Sequence, residues 1–516
     1  MTRMRSSIAV RALPELLAGL AEGVPPLAIT DLSLDSRSVT RGGAFLACRG
    51  TQQHGLAFLE QALARGASVV LWEPTQGVGS PGVTAPGAAP STSVPMIAVE
   101  NLGRRAGEIA ARFFGDPARE LHCMGVTGTD GKTSTAYLMA QALESAGKAC
   151  LYVGTLGIGR YGAIAAGDHT TPDPVNLQRS LRAAVTEGAR AVAMEVSSHA
   201  LDQARVAGVA FHTAILTNVG RDHLDYHGTL ERYAQAKKKL FFELAPQSIV
   251  LNRDDAHGRA WAAELVQTAA ASRVTQYGLD GEIAGRAVIG RALQLTPQGI
   301  SFDVDTHAGR GRIASRLLGK FNAYNLLGVL AALLEAGVPL ARACEVLSGA
   351  ATVPGRIEGF RGPRARPLVV VDYAHTPQAL AQILQSVRAH CRATMWCVFG
   401  CGGDRDRGKR PLMGAAAARY ADKLIVTDDN PRSEDPAFIT GQITAGFPAG
   451  YSAPVVHDRA KAIEAAVNAA GPDDVVVVAG KGHEEYQQYG REKRAFSDRA
   501  FVAQLLGIQW PRVTGH

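Results

Sequence analysis

The stretch GVTGTDGKTST, residues 125–135, places three glycines and Lys132 between an apolar run and a segment of helical spacing. A glycine-rich turn that leaves a strand and opens a helix aims several backbone N–H groups at one point. The helix dipole adds partial positive charge there, so the natural guest is an anion. In such a loop Lys132 reaches the terminal phosphates of a nucleotide and Thr133 offers its hydroxyl to Mg²⁺. The spacing is not the strict phosphate-loop pattern, because Val126 stands where that pattern has its first glycine. Asp130 must also point away from any bound phosphate. An ordinary glycine-rich turn between strand and helix is the competing reading.

The surrounding pattern supports a nucleotide fold. LHCMGVTG, CLYVG, RAVAMEV, FHTAILTNV and SIVLN read as strands; 135–146, 175–187 and 229–244 read as helices, the first two closed by Gly147 and Gly188. Strands alternating with helices predict parallel βαβ units. The segment 280–316 is helix-poor and reads as β, and 322–337 reads as a helix. After VPGR (353–356) the alternation restarts in PLVVVDYAH, TMWCVFGCGG, KLIVTDDNP and DVVVVAGKG, which predicts a second doubly wound sheet with its site at the carboxyl ends of the strands. Near the start, SVVLWE (68–73) and MIAV (96–99) read as strands and 101–114 as a helix, with a Gly/Pro-rich surface loop at 74–95. The expected class is therefore α/β with three domains: 1–101, 102–352 and 353–516.

Composition removes several classes. Net charge is +7 over 516 residues, and no long Lys/Arg run or aromatic platform marks a nucleic-acid binder. Seven cysteines are scattered without a CxxC pair, which argues against a zinc knuckle or disulfide framework and for a reducing compartment. The basic start is interrupted by Arg11, Pro14 and Glu15, so a short amphipathic helix is expected there and not a signal peptide. No run is long enough to cross a bilayer. A cytoplasmic protein without membrane contact is expected.

Two further segments bear on chemistry. AVAMEV ends in Glu195, a carboxylate well placed for Mg²⁺ held by phosphates, although a strand-end ion pair is the plainer alternative. TNVGRDHLDYHG adds Asn218, Asp222, His223, Asp225 and His227, at spacings that fit no common zinc pattern.

In order, the chain carries TGTDGKTS, HTTPDP, EVSSHALDQAR, TNVGRDHLDYHG, YAQAKKKLF, GKFNAYN, PGRIEGF, DYAHTP, GCGGDRDRGKRPLM, TDDNPRSED and AGKGHEEYQ. This ordered set, from about Leu34 to about Gln487, closely resembles the Mur ligase family of peptidoglycan biosynthesis. The resemblance implies a small N-terminal α/β UDP-binding domain, a central P-loop-type ATP-binding parallel-sheet domain and a C-terminal Rossmann-like domain. It implies ATP-dependent amide synthesis: a substrate carboxylate attacks the γ-phosphate, ADP leaves, and an amine displaces phosphate from the acyl phosphate.

Roles carry over by motif. Thr127, Gly128, Thr129, Asp130, Gly131, Lys132, Thr133 and Ser134 would cradle ATP. Thr133, Glu195 and His223 would serve magnesium, two ions being expected. Lys237 aligns with the lysine that the family carbamylates, which turns an ammonium into a carboxylate-like ligand; without the family it reads as part of a solvated basic helix face. Asn322, Asn325, Arg356 and Asp372 are carried over as nucleotide contacts, completed by domain closure. Leu34 and Ser36 match the uridine segment, and Thr170, Thr171, Ser197, Gln203 and Arg205 match the muramoyl-dipeptide contacts.

Family members divide at the amine donor. Asp429, Asn430, Pro431 and Arg432 resemble the quartet of members that add meso-diaminopimelate, and lysine-adding members lack the arginine. A guanidinium can bind the extra carboxylate of diaminopimelate bidentately, whereas it would be buried against an ammonium if lysine were bound. Arg405, Gly480 and Glu484 match the remaining donor contacts. Standing alone, Arg432 reads as a surface ion pair with Glu434 or Asp435. The expected partners are UDP-MurNAc-L-Ala-D-Glu, meso-diaminopimelate and ATP, with the chain acting as a monomer. The rivals are another ligase of the superfamily, such as the next muramoyl ligase or a folylpolyglutamate synthetase, and a P-loop ATPase without amide chemistry.

Overall fold

The computed structural model describes residues 10–50, 53–74, 92–167, 169–282, 285–363 and 366–509. Most of the Gly/Pro-rich segment 74–95 and the first nine residues of the expected N-terminal helix lie outside these. The chain divides into two compact units, one mainly Met1–Tyr277 and one mainly Val288–Leu327 with Pro339–His516.

The first unit opens with a small parallel sheet whose strands, Leu32–Ser33, Ala44–Ala47, Val69–Trp72 and Met96–Ala98, lie in chain order. Helix Leu102–Phe113 covers one face, because Leu102, Ala106, Ile109, Ala110 and Phe113 recur at helical spacing and enter one core with Leu13 and Leu16. The expected N-terminal helix is only Leu13–Leu16, with Pro14 in its first turn and a strand, Arg11–Ala12, just before it. Ala12 is held in a strand pair with Ala28, so helix cannot extend toward the terminus.

The central sheet has six parallel strands: β1 (His122–Thr127), β2 (Cys150–Gly154), β3 (Ala191–Glu195), β4 (Thr213–Leu216), β5 (Ser248–Asn252) and β6 (Val274–Leu279). Their order is β2-β3-β1-β4-β5-β6. β1 is flanked by β3 and β4, so the chain leaves neighbouring strands in opposite directions and opens a crevice at the carboxyl end of β1. Helix α1 (Lys132–Ser145) follows β1, α2 (Pro174–Thr186) precedes β3, and α3 (Leu230–Phe242) precedes β5. Gly147 and Gly188, at φ +82° and +84°, close α1 and α2 where the sequence places stops.

In the second unit, 280–316 forms the expected β structure, an antiparallel meander of Ala287–Thr296, Gly299–Thr306 and Gly309–Ser315. The second sheet holds β7 (Leu368–Asp372), β8 (Met395–Phe399), β9 (Lys423–Val426) and β10 (Val475–Ala479), parallel and ordered β7-β10-β8-β9, with Glu358–Arg361 antiparallel on the β7 edge. Val370, Cys397 and Val477 face helices Pro377–Arg388 and Lys409–Tyr420, while Val369, Val371, Val398 and Val476 face Arg459–Ala469 and Asp498–Leu505. Both faces are covered, which is why these strands read as unbroken valine runs. Among the described residues no helix is long and apolar enough to cross a membrane.

Candidate active site

The loop after β1 is held by its neighbour strand. Thr217 Oγ1 donates to the Asp130 carbonyl at 2.6 Å, and Asn218 accepts from Asp130 N (3.0 Å) through its side chain and from Thr129 N (2.9 Å) through its carbonyl. Gly128 has φ +152°, and a Cβ there would sit 1.9 Å from Thr217 Oγ1, so glycine is required for the close approach. Gly131, at φ +81°, turns the chain into α1. The Asp130 side chain is exposed. Thr127 is buried in β1, and Ser134 lies in the first turn of α1.

Lys132 Nζ donates to the carbonyls of Gly128 (2.9 Å) and Thr129 (2.8 Å). Lys237, from α3, donates to the same Gly128 carbonyl at 2.7 Å and lies 4.3 Å from the Tyr233 ring centroid. It is buried, contrary to the solvated face its sequence alone suggests. Burial, then the neighbouring charge of Lys132, pushes the Lys237 ammonium down to about 6.

Glu195 is fully buried at the end of β3. Its carboxylate accepts from Tyr152 Oη (2.6 Å), Thr155 N (2.7 Å), Thr133 Oγ1 (2.8 Å) and Thr155 Oγ1 (3.2 Å). These donors are neutral hydroxyl and amide groups, which satisfy the buried carboxyl oxygens. A hydroxyl paired with a carboxyl group beside the glycine turn is an oxygen donor set suited to Mg²⁺. His223 is exposed, in a left-handed conformation at φ +51°, 3.4 Å from Asp222 and edge-on to His199 at 4.8 Å between ring centroids.

The expected acceptor residues form a connected chain beside Glu195. Thr170 Oγ1 is 3.0 Å from Thr155 Oγ1, Thr171 Oγ1 donates to the Glu195 carbonyl at 2.9 Å, and Ser197 N donates to Thr171 Oγ1 at 3.3 Å. Arg205 reaches the Thr171 carbonyl (3.0 Å) and holds Gln203 Oε1 through two donors. Ser197 also caps the short helix Ser198–Asp202, the structural role such residues often have. In the first sheet's domain, Leu34 packs at the core edge and Ser36 Oγ donates to Gln61 Oε1 at 2.6 Å.

The second unit gathers a separate cluster. Asn430 accepts from Lys481 Nζ (3.1 Å) and donates to Glu484 Oε2 (2.9 Å), and Lys481 pairs with Glu484 at 2.9 Å. Asp429 is buried, and burial raises its carboxyl above the ordinary range. Gly480, at φ +118°, leaves room for it: a Cβ would lie 2.5 Å from Asp429 Oδ2. Pro431 is buried, and its carbonyl packs against Gly403. Arg432 forms neither of the ion pairs its neighbours offer. Glu434 pairs with Arg410 (2.8 Å) and Arg407 (3.2 Å), Asp435 caps helix Pro436–Thr444, and Arg432 Nη1 instead donates to the Gly403 carbonyl at 2.7 Å. Arg405 is exposed on the same glycine-rich loop.

Asp372, at the end of β7, accepts from Ile357 N (2.8 Å) and Ala374 N (2.7 Å), yet burial raises its carboxyl above the ordinary range. Arg356 is exposed one residue before Ile357, and Asn322 and Asn325 are buried and bonded to each other at 3.0 Å. Sequence reading missed Tyr152, Thr155 and Lys481. The first two stand on an ordinary apolar strand and its turn, and only the fold brings them to Glu195. Lys481 lay inside a recognised motif but was signalled only as one more lysine.

The strand order and the loop after β1 are those of a phosphate-binding α/β fold. Residues 28–114 match the Mur ligase family catalytic domain, 126–333 the Mur ligase middle domain, and 355–482 the Mur ligase glutamate ligase domain. A protein of Alkalilimnicola ehrlichii named UDP-N-acetylmuramoyl-L-alanyl-D-glutamate–2,6-diaminopimelate ligase is 53% identical, over 92% of this chain and 94% of its own length. The Pseudomonas aeruginosa protein of that name is 46% identical over 92% of this chain and 94% of its own. A solved structure of a ligase of that name is similar with a TM-score of 0.77 at 35% identity, covering 97% of this chain and 99% of its own. The chain belongs to the Mur ligase family.

Proposed function

We infer that this chain is an ATP-dependent, ADP-forming ligase that joins meso-diaminopimelate to UDP-MurNAc-L-Ala-D-Glu in cytoplasmic peptidoglycan precursor synthesis. The observation that carries this is the meeting of Lys132 and Lys237 at the Gly128 carbonyl, beside the Thr133–Glu195 pair. The names of the close relatives supply the donor and acceptor. We take the domains as 1–101 for the uridine nucleotide, 102–352 for ATP and 353–516 for the amino acid, in a monomer.

The amides of 128–134 and Lys132 bind the β- and γ-phosphates. Bound magnesium would be held by Thr133, Glu195, His223 and a carbamate on Lys237, and would neutralise phosphate charge. A lysine pushed down to about 6 is a neutral amine at neutral pH. It attacks CO₂ through its lone pair, loses a proton and becomes a carbamate, which an ammonium cannot do. Thr170, Thr171, Ser197, Gln203 and Arg205 orient the acceptor so that one carboxylate of its D-glutamate lies in line with the γ-phosphorus. The carboxylate oxygen forms a bond to phosphorus as the bond to ADP breaks. The donor amine then attacks the acyl carbon, loses a proton, and phosphate leaves with that oxygen. Asn322, Asn325, Arg356 and Asp372 are assigned to the nucleotide, and Leu34 and Ser36 to the uridine end. Arg405, Asp429, Asn430, Pro431, Arg432, Gly480 and Glu484 are assigned to diaminopimelate, with Arg432 taking its distal carboxylate.

The test is ADP release by the purified protein with each component omitted in turn. Release that requires both UDP-MurNAc-L-Ala-D-Glu and diaminopimelate supports the ligase. Turnover with ATP alone supports the P-loop ATPase and overturns it.

A further inference from the structure

Arg432 adopts φ +53°, a left-handed backbone that a long side chain rarely takes, so something must hold it. The holder is a hairpin, Tyr486–Tyr489 paired with Glu492–Ala495, which stands outside the five-stranded sheet. Arg432 N donates to the Gln488 carbonyl at 2.9 Å, and Gly490 N donates to the Arg432 carbonyl at 2.6 Å. Both main-chain groups of the arginine are thus fixed by one hairpin, Gln488 in its first strand and Gly490 in its turn, in a parallel bridge with Tyr489. The same strand holds the residues before it. Gln488 N donates to Asn430 Oδ1 at 2.9 Å, and Tyr489 Oη donates to Asp428 Oδ2 at 3.2 Å. The buried Gln487 amide donates to two successive carbonyls, Asp428 at 3.3 Å and Asp429 at 3.1 Å.

An isolated two-stranded hairpin is marginal in water, so this one and the 428–432 loop are ordered by each other. Gln487 is a buried clasp, because its single NH₂ group spans two successive loop carbonyls, that of Asp429 and that of Asp428, the latter shared with Arg459 Nη1 at 3.3 Å. We propose that the 486–495 hairpin is the brace that sets amine-donor specificity, and that Gln487 is a positioning residue acting through Arg432. The inference rests on the reading of Arg432 as the donor contact. Gln487 itself touches no substrate; it fixes the backbone from which the guanidinium projects, and a small displacement there spoils a bidentate geometry.

The test is steady-state kinetics of Gln487→Met, which keeps the volume and removes the donors. KM for diaminopimelate should rise about tenfold or more, as expected for two lost hydrogen bonds. The preference for diaminopimelate over lysine should fall by a similar factor, with KM for ATP and for the UDP-linked acceptor unchanged. Tyr489→Phe, which loses only a hydroxyl, should show the same pattern more weakly, and it stands in if Gln487→Met does not fold. An unchanged diaminopimelate KM, or a uniform loss against all three substrates in a folded variant, overturns the brace. If the wild-type protein releases no ADP with diaminopimelate, the donor reading itself fails and the brace falls with it.

Discussion

Lys132 and Lys237 share one acceptor: the Gly128 carbonyl takes the first at 2.9 Å and the second at 2.7 Å. Two ammonium groups on a single oxygen would repel. Burial and this neighbour together leave Lys237 with a proton affinity of about 6, against 10.5 for an ordinary lysine.

Lys237→Met should therefore cost activity without costing stability. Turnover should fall about 10²–10³-fold, the usual loss when one preorganised charge is removed from a site, and added bicarbonate should not restore it. The sign of the stability effect follows from linkage. Between about 6 and 10.5 the unfolded chain binds a proton that the folded chain does not, so this lysine makes stability rise with pH over that window. For protein whose Lys237 is unmodified, thermal unfolding across it should show a flatter pH dependence in the variant and an equal or higher midpoint at pH 7. A lower midpoint would contradict the buried-neutral-lysine account.

The other end of β1 predicts acid lability. His122 and His212 stack with ring centroids 4.7 Å apart, and His212 Nδ1 accepts from Cys123 N at 3.2 Å. Burial, then the charges of His212 and Lys148, lowers His122 to about 4, and burial lowers His212 as well. A histidine with a depressed folded pKa contributes stability above its unfolded value of 6.5, and that stability is lost as pH falls toward 4. His122→Phe should keep a stacked ring and flatten the fall of the unfolding midpoint between pH 6.5 and 4. A wild-type slope in the variant would assign the lability elsewhere.

Arg432→Ala should raise KM for diaminopimelate about tenfold to a hundredfold, the range for lost charged hydrogen bonds, and leave KM for ATP unchanged. Arg432→Lys should not restore it, since an ammonium cannot form the planar fork. Equal losses for both substrates would count against the donor reading.

The carboxyl-terminal sheet hides a fully buried ion pair in which Arg459 Nε and Nη2 each reach Asp498 at 2.7 Å. Asp498→Asn leaves a buried guanidinium without its counter-charge and should destabilise the protein by about 3–5 kcal/mol. Replacing both partners with apolar residues, as in Arg459→Met with Asp498→Leu, should recover only part of that, because Arg459 also donates to the buried carbonyls of Asp428 (3.3 Å) and Ala479 (3.0 Å). Denaturant unfolding of the two variants decides it.

The parallel sheets were legible because strands buried on both faces are unbroken apolar runs, as in Val475–Ala479, and because glycines such as Gly147 and Gly188 mark where helices stop. The turn from β1 into α1 was legible from Gly128 and Gly131, although its spacing is irregular. The structure supplies the reason for glycine at 128: Thr217 of the next strand occupies the place of a side chain. Lys237 could not be read from a run of three lysines, since only the packing of α3 decides which one turns inward. Likewise the pairing of Glu434 with Arg410, which frees Arg432 from a plausible neighbour, depends on a helix that follows the glycine-rich loop. The N-terminal helix was overread because its apolar leucines enter the core after only one turn.

The central claim is that the γ-phosphoryl group passes to the acceptor carboxylate before the amine attacks. Acceptor labelled with ¹⁸O in both carboxylates of its D-glutamate, turned over with ATP and diaminopimelate, tests this through the ³¹P isotope shift of the released phosphate. The account predicts phosphate carrying one ¹⁸O from the acceptor. Phosphate without label would contradict it.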